Sequence, residues 1–185
     1  MPTIRLAELH PIIVHFPIAL LIVSVACDIA AVFLRRAGLT TTATWTLIFG
    51  VPGAGAALLS GWISEHDVSA ALAGSILHLH KVCAVLTTVL FGTLLALRLF
   101  WLLPRVLCWL ASASPVPLPA VAVAGTRLEM AVPILYGRPL PRSVVALYVA
   151  LSVVGIILLG VTGYLGGSLV YDHGVGLPAP SGSGL

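Results

Sequence analysis

The sequence contains very little charge. Only 8% of its 185 residues are Asp, Glu, Lys or Arg, whereas soluble domains contain about 25%. Hydrophobic residues make up 59% of the chain, so there are too few polar side chains to cover a water-exposed surface. This composition excludes a soluble globule and a disordered chain. It also excludes a nucleic-acid partner, because the nine basic residues are too few to follow a phosphate backbone.

The usual short motifs of catalysis and redox chemistry are also missing. The three cysteines form no C-x-x-C pair and no C-x-x-C-H, so neither a thioredoxin-type centre nor a covalently attached c-type haem is encoded. The sequence contains no G-x-S-x-G, no H-E-x-x-H and no phosphate-binding glycine loop followed by Lys. We therefore do not expect the chain to be an enzyme by itself.

What the sequence does contain is four long apolar stretches, at 11–34, 43–63, 74–98 and 144–165. Each is long enough to cross about 30 Å of hydrocarbon as a helix, and lipid leaves open sheet edges unsatisfied. The sequence thus predicts an all-α fold, an integral membrane four-helix bundle in one domain over residues 1–177. A cytoplasmic loop is expected at 99–142 and a flexible tail at 178–185.

The basic residues predict the orientation of these spans. Two predicted loops on the same side of the membrane hold most of them: Arg35, Arg36, Arg98, Arg105, Arg127, Arg138 and Arg142. By the positive-inside rule this side is cytoplasmic, so both termini face the outer (periplasmic) side. We expect a multi-pass protein of the cell inner membrane, with the lipid bilayer as its immediate partner.

The histidines are distributed in the opposite way. With this topology all of them lie at or just above the outer side, and they come from four segments: His10, His15, His66, His78, His80 and His173. Neutral imidazole is the commonest metal ligand in proteins and the usual axial ligand of b-type haem. The outer end of the bundle is therefore the candidate cofactor site.

A haem between helices needs one histidine from each of two facing helices. His15 in the first span and His78 or His80 in the third meet this need. His78 and His80 point roughly 200° apart, so only one of them faces the interior. We predict His15 and His80 as ligands of the haem iron, with His78 as the alternative, while His10 and His173 complete the set of cofactor-binding candidates.

Asp28 is the one acidic residue within the apolar stretches. A carboxylate in a span is either paired with a basic residue or part of a proton relay. Arg35, Arg36 and Arg98 are near in the predicted topology, and no second intramembrane carboxylate is available to form a relay. The sequence favours an ion pair with one of these arginines.

Both ends of the chain resemble a known family. The segment HPIIVHFPIAL at 10–20 and the segment GYLGGSLVYDHGVG at 163–176 resemble the opening and closing signatures of the membrane family called domain of unknown function 2231. The resemblance implies four spans and site residues His10, His15, the His173 region and one histidine early in the third span. The family's double glycine is usually followed by an acidic residue, and here Ser168 follows it.

The resemblance also implies a function, because some relatives are joined to cytochrome-type or Rieske-type electron-transfer domains. We therefore expect a membrane subunit that binds b-type haem at its outer end and transfers electrons. Its partner would be a periplasmic cytochrome c, a Rieske-type carrier or a larger respiratory or photosynthetic complex. Two alternatives stay open: a cofactor-free packing or assembly subunit, and a protein that handles a non-haem metal, protons or a solute.

Overall fold

The computed structural model describes residues 6–64, 70–113 and 141–172. Four helices occupy this part of the chain: α1 Leu6–Leu34, α2 Ala37–Ser64, α3 Ala70–Ala113 and α4 Arg142–Tyr171. Each contains a stretch long and apolar enough to cross a membrane: His10–Leu34, Ala37–Ser64, Gly74–Trp101 and Arg142–Tyr171. The prediction of an all-α chain with four apolar spans is confirmed.

The third helix is longer than expected. It continues past Arg98 to Ala113, so the first part of the segment predicted as loop 99–142 is helical. The reason is local, because residues 99–113 are mainly leucine, alanine and other apolar residues that support a helix. The rest of that segment, residues 114–140, and the predicted tail at 178–185 lie outside the described residues.

Neighbouring helices in the chain run in opposite directions. α1 and α2 are joined by only two residues, Arg35 and Arg36, and Arg35 has a left-handed backbone with φ 51°. α1 packs mainly against α2 and α3 against α4, with smaller α2–α3 and α1–α4 interfaces. The first residues of α1 and α3 and the last residues of α2 and α4 therefore share one end of the molecule.

The core lies midway along the helices. Its most buried large side chains are Leu21, Leu47, Phe91 and Leu94, each no more than 1% exposed. Two glycines allow the helices to approach closely here. A Cβ atom on Gly50 would lie 2.9 Å from Cδ2 of Leu21. A Cβ atom on Gly155 would lie 2.8 Å from Cζ of Phe91.

The hydroxyl groups within the spans bond mostly to their own helices. Thr44, Thr87 and Ser152, for example, each donate to the carbonyl four residues earlier at 2.7–2.9 Å. Ser24 instead donates across to the Ala43 carbonyl of α2, at 2.8 Å. Because hydrocarbon offers no hydrogen-bonding partner, these bonds let the spans hold hydroxyl side chains at little cost.

Candidate functional site: an imidazole pair at the shared helix end

His10 of α1 meets the end of α2. Its Nδ1 lies 2.8 Å from Oγ of Ser60, and Ser60 Oγ in turn donates to the Ala57 carbonyl at 2.8 Å. The Ser60 hydroxyl has a single proton, so when it donates to the Ala57 carbonyl its oxygen accepts from His10 Nδ1. In that neutral tautomer the ring's lone pair is on Nε2.

His80 of α3 meets the end of α4 in a matching way. Its Nδ1 donates to the carbonyl oxygen of Thr162 at 3.0 Å. A carbonyl can only accept, so the proton is on Nδ1 and the Nε2 lone pair is again free. The hydroxyl of Thr162 is occupied separately, since it donates to the Leu158 carbonyl at 2.8 Å.

Each ring rests on a glycine of the neighbouring helix. A Cβ atom on Gly61 would lie 3.1 Å from Cε1 of His10, and one on Gly166 would lie 3.1 Å from Cε1 of His80. Both imidazoles are half-buried and lie within electrostatic range of each other. We call His10, Ser60, Gly61, His80, Thr162 and Gly166 the imidazole site.

The other predicted histidines are placed differently. His15 is exposed, and its Nδ1 donates to the Pro11 carbonyl of its own helix at 2.5 Å. His78 is also exposed and lines a groove beside Trp62 and Lys81. His66 and His173 lie outside the described residues. The structure therefore brings His80 together with His10, and the predicted pairing of His15 with His80 stays a prediction.

The sequence alone did not identify the groups that orient the two rings. Ser60 and Thr162 are ordinary hydroxyl residues in apolar helices, and Gly61 and Gly166 are two of many glycines. These residues contact the histidines only because α1 packs on α2 and α3 packs on α4. The described residues contain no group of three or more His, Cys, Asp or Glu that could hold a metal ion.

A second polar cluster lies toward the opposite end of the spans. Asp28 of α1 pairs with Arg98 of α3, and both residues are buried. The Arg98 guanidinium carbon lies 5.0 Å from the centre of the Tyr148 ring, and Trp101 packs on the same ring at 5.9 Å. The expectation that Asp28 pairs with a nearby arginine is confirmed, and Arg98 is the partner.

The guanidinium is only partly satisfied by hydrogen bonds. Within the described residues its buried Nη1 has no hydrogen-bond partner, but the adjacent face of Tyr148 attracts the positive charge. The cluster thus joins α1, α3 and α4 by an ion pair and a ring contact. This arrangement is suited to holding helices together.

Comparison with known proteins adds one finding. Residues 7–137 match the model of a family described as "Predicted membrane protein (DUF2231)". The matched range includes the opening signature at 10–20 and the first three helices, whereas the closing signature at 163–176 lies beyond it. A search of curated proteins and a search of solved structures found no match.

Proposed function

The chain belongs to the DUF2231 family of membrane proteins, and on that premise we propose that it is a four-helix bundle that binds a redox cofactor between His10 and His80. The cofactor of this proposal is haem b, which would supply one-electron exchange. Both termini and the imidazole site then lie on the outer side, because Arg35, Arg36 and Arg142 are at the other end and favour the cytoplasm.

The observation that supports this proposal is that both imidazole rings are hydrogen-bonded through Nδ1 to a neighbouring helix. Histidines that ligate a metal nearly always donate their second ring nitrogen to a carbonyl, a carboxylate or another fixed acceptor. His80 Nδ1 donates to the Thr162 carbonyl, and His10 Nδ1 is hydrogen-bonded to the Ser60 hydroxyl. With the proton on Nδ1 each ring has its lone pair on Nε2, and the two rings come from α1 and α3, two helices that make no major interface with each other.

Each residue of the imidazole site has a role in this proposal. His10 and His80 would hold the haem iron through their ring nitrogens, as histidines do in b-type cytochromes. Ser60 and Thr162 orient the rings and hold the proton on Nδ1. Gly61 and Gly166 let the imidazoles lie against the helix backbones. The electron partner would be a carrier on the outer side, such as a cytochrome c, a Rieske-type protein or a larger membrane complex.

The test is the absorbance spectrum of the purified protein after reduction with dithionite. The wild type should show the split band of a six-coordinate haem, and His80→Ala and His10→Ala should each lose it. His78→Ala and His15→Ala are matched controls on the same two helices, and both should keep the band. Circular dichroism of every variant verifies that the helices are retained.

The same experiment distinguishes the alternatives. If His15→Ala removes the band and His10→Ala preserves it, the ligands are His15 and His80. A colourless wild type that contains one equivalent of zinc or copper would indicate a non-haem metal site. A colourless, metal-free protein would contradict the cofactor proposal and favour a packing or assembly subunit.

A further inference from the structure

Two prolines lie at the same level in the first two helices. Pro17 is inside α1 and Pro52 is inside α2. Gly53, the next residue of α2, packs against the first of them, because a Cβ atom on Gly53 would lie 3.3 Å from Cβ of Pro17. A proline has no N–H to donate to the carbonyl four residues earlier, and its ring presses against that carbonyl. Both helices are therefore weakened at one level, and prolines are the usual sites of sharp helix bends.

α1 and α2 stay in contact from these prolines to the imidazole site. His10 is hydrogen-bonded to Ser60, and its ring lies against Gly61. The parts of the two antiparallel helices between these contacts and the prolines therefore run side by side. We call these two segments, residues 10–16 and 54–64, the His10 arm. The arm contains the whole His10 half of the imidazole site.

The His80 half of the imidazole site belongs to helices of a different kind. The spans Gly74–Trp101 of α3 and Arg142–Tyr171 of α4 contain no proline. His80 is hydrogen-bonded to α4 through the Thr162 carbonyl. Every backbone N–H of these two spans is thus able to take part in the helix, and the pair forms a fixed support beside the His10 arm.

The two helix pairs are joined away from the imidazole site. Leu21 of α1 packs in the same core cluster as Phe91 of α3, and Asp28 of α1 pairs with Arg98 of α3. Both contacts lie beyond the two prolines, on the side away from the imidazole site. A bend at the prolines therefore leaves these contacts in place.

We propose that Pro17 and Pro52 form a single hinge, on which the His10 arm moves as one unit toward and away from His80. The movement changes the separation of the two rings and preserves the hydrogen bond of His10 to Ser60. It rests on the proposed function only for the group that it admits: the open form lets the haem enter between the rings, and the closed form holds it.

Spin-label distances measure this movement in the full chain without any cofactor. In a chain whose three cysteines are replaced by alanine, one pair of labels replaces the exposed residues Ile63 of α2 and Tyr164 of α4. A control pair replaces Phe33 and Leu147, which are exposed at the opposite end of the spans. A bend of about 20° moves a residue 11 positions beyond the second proline by about 5 Å. We expect electron–electron resonance in nanodiscs to show Ile63–Tyr164 distances spread over about 5 Å more than the control distances.

Proline variants then test the hinge itself. Pro17→Ala and Pro52→Ala each restore one backbone donor at the hinge, and together they should narrow the Ile63–Tyr164 distances to the spread of the control pair. Pro52 is exposed, so its replacement removes little packing. Pro11→Ala is the matched control, because it removes an exposed proline of α1 that lies inside the His10 arm. This control should leave the spread unchanged.

Three outcomes would overturn the proposal. The first is an equally narrow spread for both label pairs in the haem-free protein. The second is a broad spread that is the same in the wild type and in the double proline variant. The third is a broad spread that persists when haem is bound, because the haem-loaded protein should keep only the short distances.

The same measurement separates the hinge from the proposed function. A spread that depends on the two prolines, in a protein that takes up no added haem, would contradict haem binding and support the hinge. A haem-binding protein with an equally narrow spread for both label pairs before and after loading would contradict the hinge and support the proposed function.

Discussion

Arg98 donates from a single nitrogen, Nη2, to both carboxylate oxygens of Asp28, at 2.6 and 2.5 Å. The two residues are 70 positions apart and belong to α1 and α3. Both are buried within candidate membrane spans. In such surroundings burial of an ion pair costs free energy, but burial of one charged side chain without its partner costs much more.

Removal of one partner should therefore destabilise the protein strongly. We expect Arg98→Ala or Asp28→Asn to lower the free energy of unfolding by about 3–5 kcal/mol, since each leaves an uncompensated polar group in the spans. Equilibrium unfolding in mixed SDS micelles measures this change. The double variant Asp28→Asn with Arg98→Ala should lose less than the sum of the single losses. Additive losses would show that the two side chains do not depend on each other.

The close contact of α3 and α4 at Gly155 should not tolerate a side chain. A methyl group there would meet the Phe91 ring at 2.8 Å, and overpacking of this kind costs about 1–3 kcal/mol. Gly160→Ala is the control on the same helix, because no atom lies within 4 Å of its added Cβ. That control should be neutral or stabilising by up to about 1 kcal/mol, as alanine favours the helix. Equal unfolding free energies for the two variants would contradict the packing described here.

Gly166 should matter for the cofactor rather than for the fold. Gly166→Ala places a methyl group 3.1 Å from Cε1 of His80, which pushes the ring away from the Thr162 carbonyl. We expect the haem content of the purified protein to fall several-fold, while the helical signal in circular dichroism is retained. Gly163→Ala has open space around its Cβ and should retain the wild-type content. If both variants retain full haem content, the proposal that His80 holds the haem with its ring hydrogen-bonded to Thr162 is contradicted.

Arg35 is a place where the chain can be made more stable. Its φ of 51° is unfavourable for a residue with a side chain, and glycine adopts this conformation without strain. Arg35→Gly should raise the free energy of unfolding by about 1 kcal/mol. Arg36→Gly, at the adjacent position, should give no such gain. The comparison separates backbone strain from the loss of a positive charge, since each variant loses one arginine.

The fold was largely predictable from the sequence because few backbone structures can satisfy their own hydrogen bonds in lipid. A run of more than 20 apolar residues must form a helix to satisfy its own backbone, so the four spans and the all-α class followed from composition. The pairing of Asp28 with an arginine followed from the cost of an isolated charge in a span. The helical continuation of α3 to Ala113 was missed, because the tryptophans and prolines between residues 101 and 119 suggested a chain that runs along the headgroup layer and then turns away.

The candidate site was less predictable. The gathering of histidines at one end could be derived from the topology. The choice among them could not, since it depends on the rotation of each helix about its axis. His15 and His10 are five residues apart, or 1.4 turns, and only the packing of α1 on α2 decides which one reaches the interior. The tautomers of His10 and His80 depend on contacts with Ser60 and Thr162, which are 50 and 82 residues away.

The central proposal is that the imidazoles of His10 and His80 would together hold one haem, and electron paramagnetic resonance of the oxidised protein tests it most directly. The wild type should give the low-spin ferric signal of a haem with two imidazole ligands. His80→Ala should convert it to a high-spin signal, and His78→Ala should leave it unchanged. The absence of any haem signal in the wild type, or a low-spin signal that persists when both His10 and His80 are replaced by alanine, would contradict the account.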